Sequence, residues 1–275
     1  MPAPLPLRDA PPKRLAALRY VLTDIDDTLT EEGRLPALAY AAMEALSAAG
    51  IAVIPVTGRP AGWCDAIARQ WPVAAVVGEN GALWYAEDRH ARRMLRWQAQ
   101  DEDARRTNRG RLMELAERAM AAVPGSALSA DQPFRLFDVA VDFAEDAGPL
   151  PLEDAHRIAA VFEAGGAQAK VSSIHVNAWF GDWDKRSGIE NLFAARLAPL
   201  ASVIGGVAFL GDSPNDAPLF AAVPFSVGVA NVVPHLESIA AAPAYVTRAP
   251  GGRGFAEFAE ALLAARNETT EENAA

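Results

Sequence analysis

Three short apolar runs, Leu18–Thr23, Ile51–Val56 and Val73–Val77, are separated by stretches with the length and composition of helices. That alternation leaves few folds open. Pro36–Ala49 is rich in Ala, Leu and Met, opens on a proline that a first helical turn tolerates, and stops at Gly50. A second helix is predicted over Ala61–Gln70. A strand–helix–strand unit needs a right-handed crossover into a parallel sheet. The sequence therefore predicts an α/β fold with a doubly wound, Rossmann-like parallel sheet, in which ligands gather beyond the carboxyl ends of the strands.

From about Leu83 to Phe180 the texture changes. Leu83–Ala86 and Met94–Trp97 read as strands, Glu102–Val123 as a long helix, and Phe137–Phe143 alternates apolar with polar residues. Leu152–Glu163 reads as a helix and Lys170–Trp179 as one or two strands, with turns at Pro124-Gly125, Gly148-Pro149 and Gly165-Gly166. Core character returns with a helix near Arg186–Leu197, strands at Val207–Leu210, Phe225–Val229 and Tyr245-Val246, and a closing helix over Phe255–Ala265. The expected organisation is a Pro-rich N-terminal arm (residues 1–17), a catalytic core (18–82 and 184–266), an inserted α+β cap (83–183), and a polar, frayed tail (267–275).

The 51% apolar content supplies ample material for a core. A net charge of −10 argues against a protein built to neutralise nucleic acid or an anionic membrane surface. It does not exclude phosphate substrates, because a bound divalent cation reverses the local field. Cys64, the single cysteine, reads as an apolar filler, and no internal disulfide is possible. With no leader-like or membrane-length apolar run, the expected location is the cytoplasm.

Four short polar segments lie where such a fold places its loops. Asp24-Ile25-Asp26-Asp27-Thr28 leaves a strand with alternating carboxylates, which can give one group to attack and another to manage a leaving-group proton. Val56-Thr57-Gly58-Arg59 ends a second strand with a hydroxyl and open backbone N–H groups suited to phosphoryl oxygens. Asp184-Lys185-Arg186-Ser187-Gly188 precedes a core helix and offers a lysine to neutralise charge. Gly211-Asp212-Ser213-Pro214-Asn215-Asp216 follows a third apolar strand with the hard oxygen donors that magnesium prefers. Each alone is also an ordinary turn, cap or surface charge; their joint occurrence carries the argument.

In this order and at these strand ends, the four segments resemble those of the haloacid dehalogenase superfamily of phosphohydrolases. The resemblance implies Asp24 as nucleophile, Asp26 as general acid/base, Lys185 as the catalytic lysine and Thr57 with Gly58 and Arg59 at the phosphate. It further implies Mg2+ held by Asp24, Asp212 and the backbone carbonyl of Asp26, with Asn215 and Asp216 in support. The insertion between Thr57 and Lys185 is similar to the large α/β cap of the Cof-type, sucrose-phosphatase-like subgroup (class IIB), and Val77–Ala82 and Gly251–Phe255 resemble that subgroup's cap approach and C-terminal close. The implied activity is hydrolysis of a phosphomonoester of a sugar or other small metabolite through an aspartyl-phosphate. A phosphomutase of the phosphomannomutase type and a noncatalytic phosphometabolite-binding protein are the alternatives.

Substrate choice is expected to fall to the cap. Strand alternation puts His175, Asn177 and Trp179 on one face, which suits contact with a sugar or simply a packed Trp with satisfied neighbours. Glu79 and Asn80 sit where core meets cap, either to contact the leaving group or as a structural turn. Arg92, Arg93, Arg96 and Arg135 are candidates to meet an anionic substrate tail, although scattered arginines are more often surface residues.

Overall fold

The computed structural model describes residues 3–274. The first part of the chain forms β1 (Leu5–Pro6), α1 (Pro12–Ala16), β2 (Tyr20–Thr23), α2 (Ala37–Ala48), β3 (Ala52–Pro55), α3 (Ala61–Gln70), β4 (Val76–Gly78), β5 (Leu83–Asp88) and β6 (Arg93–Gln98). The middle part forms α4 (Glu102–Ala122), β7 (Ala127–Leu128), β8 (Asp138–Asp142), α5 (Leu152–Ala164), β9 (Gln168–Val171) and β10 (His175–Trp179). The last part forms α6 (Lys185–Arg196), α7 (Leu200–Val203), β11 (Val207–Gly211), α8 (Ala217–Ala222), β12 (Phe225–Gly228), β13 (Tyr245–Val246) and α9 (Gly251–Ala274).

The core sheet has six strands in the order β1-β13-β12-β11-β2-β3, and every neighbouring pair is parallel. Successive residues of a strand point to opposite faces, so a sheet covered on both sides needs apolar residues in unbroken runs. The central strands meet that need. In β2, Val21 packs into the layer containing Met43, Phe255 and Phe258, whereas Leu22 packs into the layer containing Phe193, Phe209 and Phe220. In β11, Val207 and Phe209 join the second layer while Ala208 and Leu210 join the first. Phe209 is fully buried, and truncating it to alanine should cost about 3–5 kcal/mol. Cys64 is fully buried as well, and burial pushes its thiol well above the ordinary range, consistent with a filler.

The N-terminal arm is not outside the fold as its composition led us to expect. Leu5 and Pro6 pair with Tyr245 and Val246 as the sheet's outer strand, and Leu7, Ala10 and Leu15 are buried in the first apolar layer. The proline content that reads as a loose arm is also what an edge strand accepts, because one side of it donates no ladder hydrogen bonds. At the other end α9 runs Gly251–Ala274, so most of the tail expected to fray is helical.

The expected cap boundary at residue 83 also shifts. The β5–β6 hairpin pairs with β4, which touches the core sheet through a parallel bridge between Val56 and Val77. Leu83 and Tyr85 fill one core layer, and Trp84 and Ala86 fill the other. The cap's own apolar cluster begins at Leu112 and takes nothing from the hairpin. The cap is a four-stranded antiparallel sheet, β7-β8-β10-β9, with α4 and α5 on one face. In β8, Val139 and Val141 face those helices, and the alternating Asp138 and Asp142 are buried on the opposite side.

Candidate active site

The register of three adjacent strands assembles the core of the site. Leu210 of β11, Thr23 of β2 and Pro55 of β3 are aligned neighbours. Beyond them, the Asp24 N–H donates to the Leu210 carbonyl at 2.9 Å and the Val56 N–H to the Thr23 carbonyl at 2.8 Å. The ladders thus continue one residue past the strands and deliver Asp212, Asp24 and Thr57 to the same sheet end, with neighbouring strands ~4.8 Å apart. Lys185 arrives from the first turn of α6, which Asp184 and Ser187 cap reciprocally. That turn lies against residues 79–81, and Gly81, at φ +106°, is required there because a Cβ would collide with the Asp184 carbonyl.

Lys185 Nζ donates to Asp24 Oδ2 at 2.8 Å and to Asp216 Oδ1 at 3.0 Å. Asp24 Oδ1 accepts from the Ile25 N–H, and Asp212 Oδ1 accepts from Thr28 Oγ1 at 3.0 Å. Asp216 also accepts from the Asp212 and Ser213 N–H groups, and Gly211 leaves room for its carboxylate, which a Cβ would approach to 2.5 Å. One ammonium therefore pairs with two of three buried carboxylates, and Asp212 is left with the Thr28 hydroxyl. Burial raises the Asp24 pKa to about 7 even with Lys185 beside it, and Asp216 adds to the rise. Asp212 is raised well above the usual carboxylate range by burial, then by Asp216 and Asp24. Burial alone would lower Lys185, but Asp216 and Asp24 outweigh it and raise its pKa.

Asp24, Asp212 and Asp216 each present an oxygen within 4.8 Å of the others. Hard donors carrying more negative charge than the adjacent cation offsets suit Mg2+, so the residues present fit the ion that the sequence implies. Asp216, expected in support, stands here beside Asp24 and Asp212.

The cap closes over the site through a buried polar network. Arg59 bonds Asp26 through Nε at 3.0 Å and Nη2 at 2.8 Å, and reaches Glu145 of the cap at 2.8 Å. Its guanidinium also lies 4.5 Å over the Trp63 ring. Glu145 in turn meets His175 Nε2 at 3.0 Å, and the His175 and Arg59 contacts lower its pKa to about 2 against a partial burial cost. Asp142 holds this turn in place by accepting from the N–H groups of Ala144, Glu145, Asp146 and Ala147. Arg135 forms a second knot. It bonds Asp131 at 2.7 and 2.9 Å, Asp138 at 3.0 Å and the Gly58 carbonyl of the core at 2.9 Å.

Asp24, Asp26, Gly58, Arg59, Asn80, His175, Asn177, Lys185, Asp212 and Asn215 line one cleft between core and cap. Thr57 lies behind Gly58 and is fully buried; its Oγ1 accepts from the Arg59 N–H, which leaves its own O–H as a donor. Trp179 shares the core-facing side of the cap sheet with His175 and Asn177, as alternation requires, and packs against Trp183, with ring centroids 6.4 Å apart. Two readings from sequence need correction. Arg135 is buried rather than superficial. Arg59 spends its guanidinium on Asp26 and Glu145 instead of standing free for a phosphate.

Glu79, placed by sequence where core meets cap, has a structural role: its carboxylate accepts from Ala61, Leu136, Phe137 and Asp138 N–H groups and so ties α3 to the start of β8. Burial and the facing Asp138 push its pKa to about 7, opposed by those donors and Arg135. The positive φ of Glu79 and Asn80, 44° and 55°, marks the strained turn that aims both side chains. Sequence reasoning missed Glu145, Asp131 and Asp138. The only local signal was Asp–Arg–Asp spacing around Arg135, since Asp131 and Asp138 stand four and three residues away.

Residues 21–106 match the model of a family described as haloacid dehalogenase-like hydrolase. A sequence comparison with curated proteins gives no match. Among solved structures, the chain is similar to Thermoplasma acidophilum 0175, with a TM-score of 0.68 at 16% identity over 90% of this chain and 98% of that one. It is also similar to the C-terminal domain of C. albicans trehalose-6-phosphate phosphatase, with a TM-score of 0.69 at 13% identity over 95% and 98% of the two chains. Sucrose-phosphatase from Synechocystis, solved with sucrose and phosphate, gives a TM-score of 0.59 at 14% identity over 88% and 97%. At these identities the likeness is one of fold, and it extends across core and cap together.

Proposed function

We propose that this chain, a haloacid dehalogenase-like hydrolase, is a magnesium-dependent phosphatase that acts in the cytoplasm on a sugar phosphate or another small phosphorylated metabolite. The observation that carries the reading is the meeting of Asp24, Lys185 and Asp212, remote in sequence, in one cleft floored by parallel strand ends. Solved relatives of the fold named as sugar-phosphate phosphatases support the substrate class.

In this reading the Asp24 carboxylate attacks phosphorus, the ester oxygen leaves with a proton from Asp26, and an aspartyl-phosphate forms. Asp26, then a base, takes a proton from the water that hydrolyses it. Lys185 orients Asp24 and offsets charge on the phosphoryl oxygens, while the Thr57 hydroxyl and the backbone around Gly58 supply donors. Asp24, Asp212 and the Asp26 carbonyl would hold Mg2+, with Asp216 and Asn215 in support. Bound there, the ion supplies further positive charge to the transferring group. In the closed form Arg59 bonds both Asp26 and Glu145, and parting the cap from the core separates Arg59 from Glu145. The closed cleft measures about 30 Å3, room for a water or two, so substrate access requires that movement.

Phosphate release from a panel of phosphomonoesters, measured with Mg2+ and with excess chelator, tests the proposal. Release should require the metal and fall to background in Asp24→Asn. Turnover in chelator, or full activity in that variant, would refute it.

A further inference from the structure

Beside the phosphoryl cleft lies a second small chamber of about 70 Å3, lined by Asn80, Lys170, Trp179, Lys185, Asn215 and Leu219 among others. The two spaces share Asn80, Lys170, Lys185 and Asn215, so whatever is esterified to a phosphate at Asp24 has this chamber as its neighbour. Its walls are unusual in what they leave unused. Asn80 Nδ2 and Trp179 Nε1 are buried N–H donors without partners, and both residues line the chamber. A buried donor left unpaired is costly, so two in one wall point to an acceptor that a ligand brings. Asn215 spends its oxygen on Ser213 Oγ at 2.9 Å, which leaves its amide N–H2 as another donor. The chamber's own carboxylate, Asp184, is taken by the Ser187 N–H as a helix cap.

The charges follow the same pattern. Of the cations that line the cleft, Lys185 is held by Asp24 and Asp216, Arg59 by Asp26 and Glu145, and Arg135 by Asp131 and Asp138. Lys170 forms no ion pair among the described residues, yet it lines both spaces. In β9 it stands directly across from Asn177 of β10, itself a cleft residue, so the two side chains share the core-facing side of the cap sheet.

Resting on the phosphatase reading above, we infer that the leaving group is a small hydroxy acid whose carboxylate is received in this chamber by Lys170, with Asn80 and Trp179 donating to its oxygens. A free ammonium and unpaired donors select a compact anion, whereas a neutral sugar would leave the lysine unanswered. Lys170 is then a specificity-determining residue for the proposed reaction.

The test compares kcat/KM for 3-phosphoglycerate, glucose 6-phosphate and p-nitrophenyl phosphate in wild type, Lys170→Met, Lys170→Arg and Trp179→Phe. The exposed position of Lys170 keeps its variants folded. Wild type should prefer 3-phosphoglycerate over the two neutral leaving groups by at least about ten-fold, the ordinary worth of a charged hydrogen bond. Lys170→Met should erase most of that ratio, Lys170→Arg should restore part of it, and Trp179→Phe should reduce it a few-fold. A preference for glucose 6-phosphate, or an equal loss on all three esters in Lys170→Met, would overturn the inference while leaving a phosphatase. If wild type releases phosphate from none of them, p-nitrophenyl phosphate included, the phosphatase reading falls and this inference with it.

Discussion

Two groups of buried carboxylates lie a few residues apart in space and are treated oppositely by their surroundings. At the cap seam, Glu145 and Asp131 are each met by cationic or hydrogen-bonding partners, and their pKa values are lowered. At the sheet end, Asp24 and Asp212 are buried, only Asp24 is met by the lysine, and both pKa values are raised. Pairing that satisfies every oxygen holds a cap in place; pairing that falls short leaves charge for a metal and a phosphoryl group to answer. Burial contributes to the contrast, since Asp24 and Asp212 are buried whereas Glu145 is partly exposed, and the deeply buried seam acids Glu79 and Asp138 are raised too. What sets the sheet end apart is that its carboxylates share too few partners.

The largest expected effect comes from Asp212. Asp212→Asn removes a buried negative charge whose carboxylate receives one side-chain hydrogen bond, from Thr28, so the metal-free variant should melt at a higher temperature than wild type while phosphate release falls by more than about 100-fold. Thermal melting in chelator, set beside turnover in Mg2+, gives both readings. A variant that melts earlier than wild type would mean that Asp212 is satisfied after all and belongs with the seam carboxylates.

Next is Arg135, on the other side of the comparison. Its guanidinium is buried and shared by Asp131, Asp138 and the Gly58 carbonyl. Arg135→Leu strands two buried carboxylates and should cost about 3–5 kcal/mol of stability in denaturant titration. A loss under about 1 kcal/mol would show that the seam relaxes around the missing cation and that the knot does not fasten cap to core.

The same contrast explains what could be read from sequence. Asp24, Thr57, Lys185 and Asp212 were legible because each follows or precedes a regular element, and the direction of a parallel strand fixes where its end must lie. Arg135, Glu79 and Glu145 were not, because their roles depend on which residues face them across the seam. Glu79 is fully buried only because four N–H groups converge on it, three of them from residues 136–138. No local pattern announces such convergence. The arm failed for a different reason: Leu5-Pro6 is too short a strand to show alternation, and its partner lies at Tyr245-Val246.

The smallest predicted effect tests whether the seam acids are as satisfied as their pairing implies. Glu145 is held near pKa 2, below its ordinary 4.5, first by His175 and then by Arg59. A folded-state pKa lowered in this way contributes stability that is present above about 4.5 and is lost as the pH falls toward 2. Glu145→Gln should therefore melt below wild type at pH 6–7, by at most about 4 °C because the pair is partly exposed. The gap should close between pH 4.5 and 2 as wild type loses the charge that the variant never had. A gap that stays constant across that range would mean that Glu145 contributes shape rather than charge, and the division between satisfied and unsatisfied carboxylates would then have to rest on Asp131 and Arg135 alone.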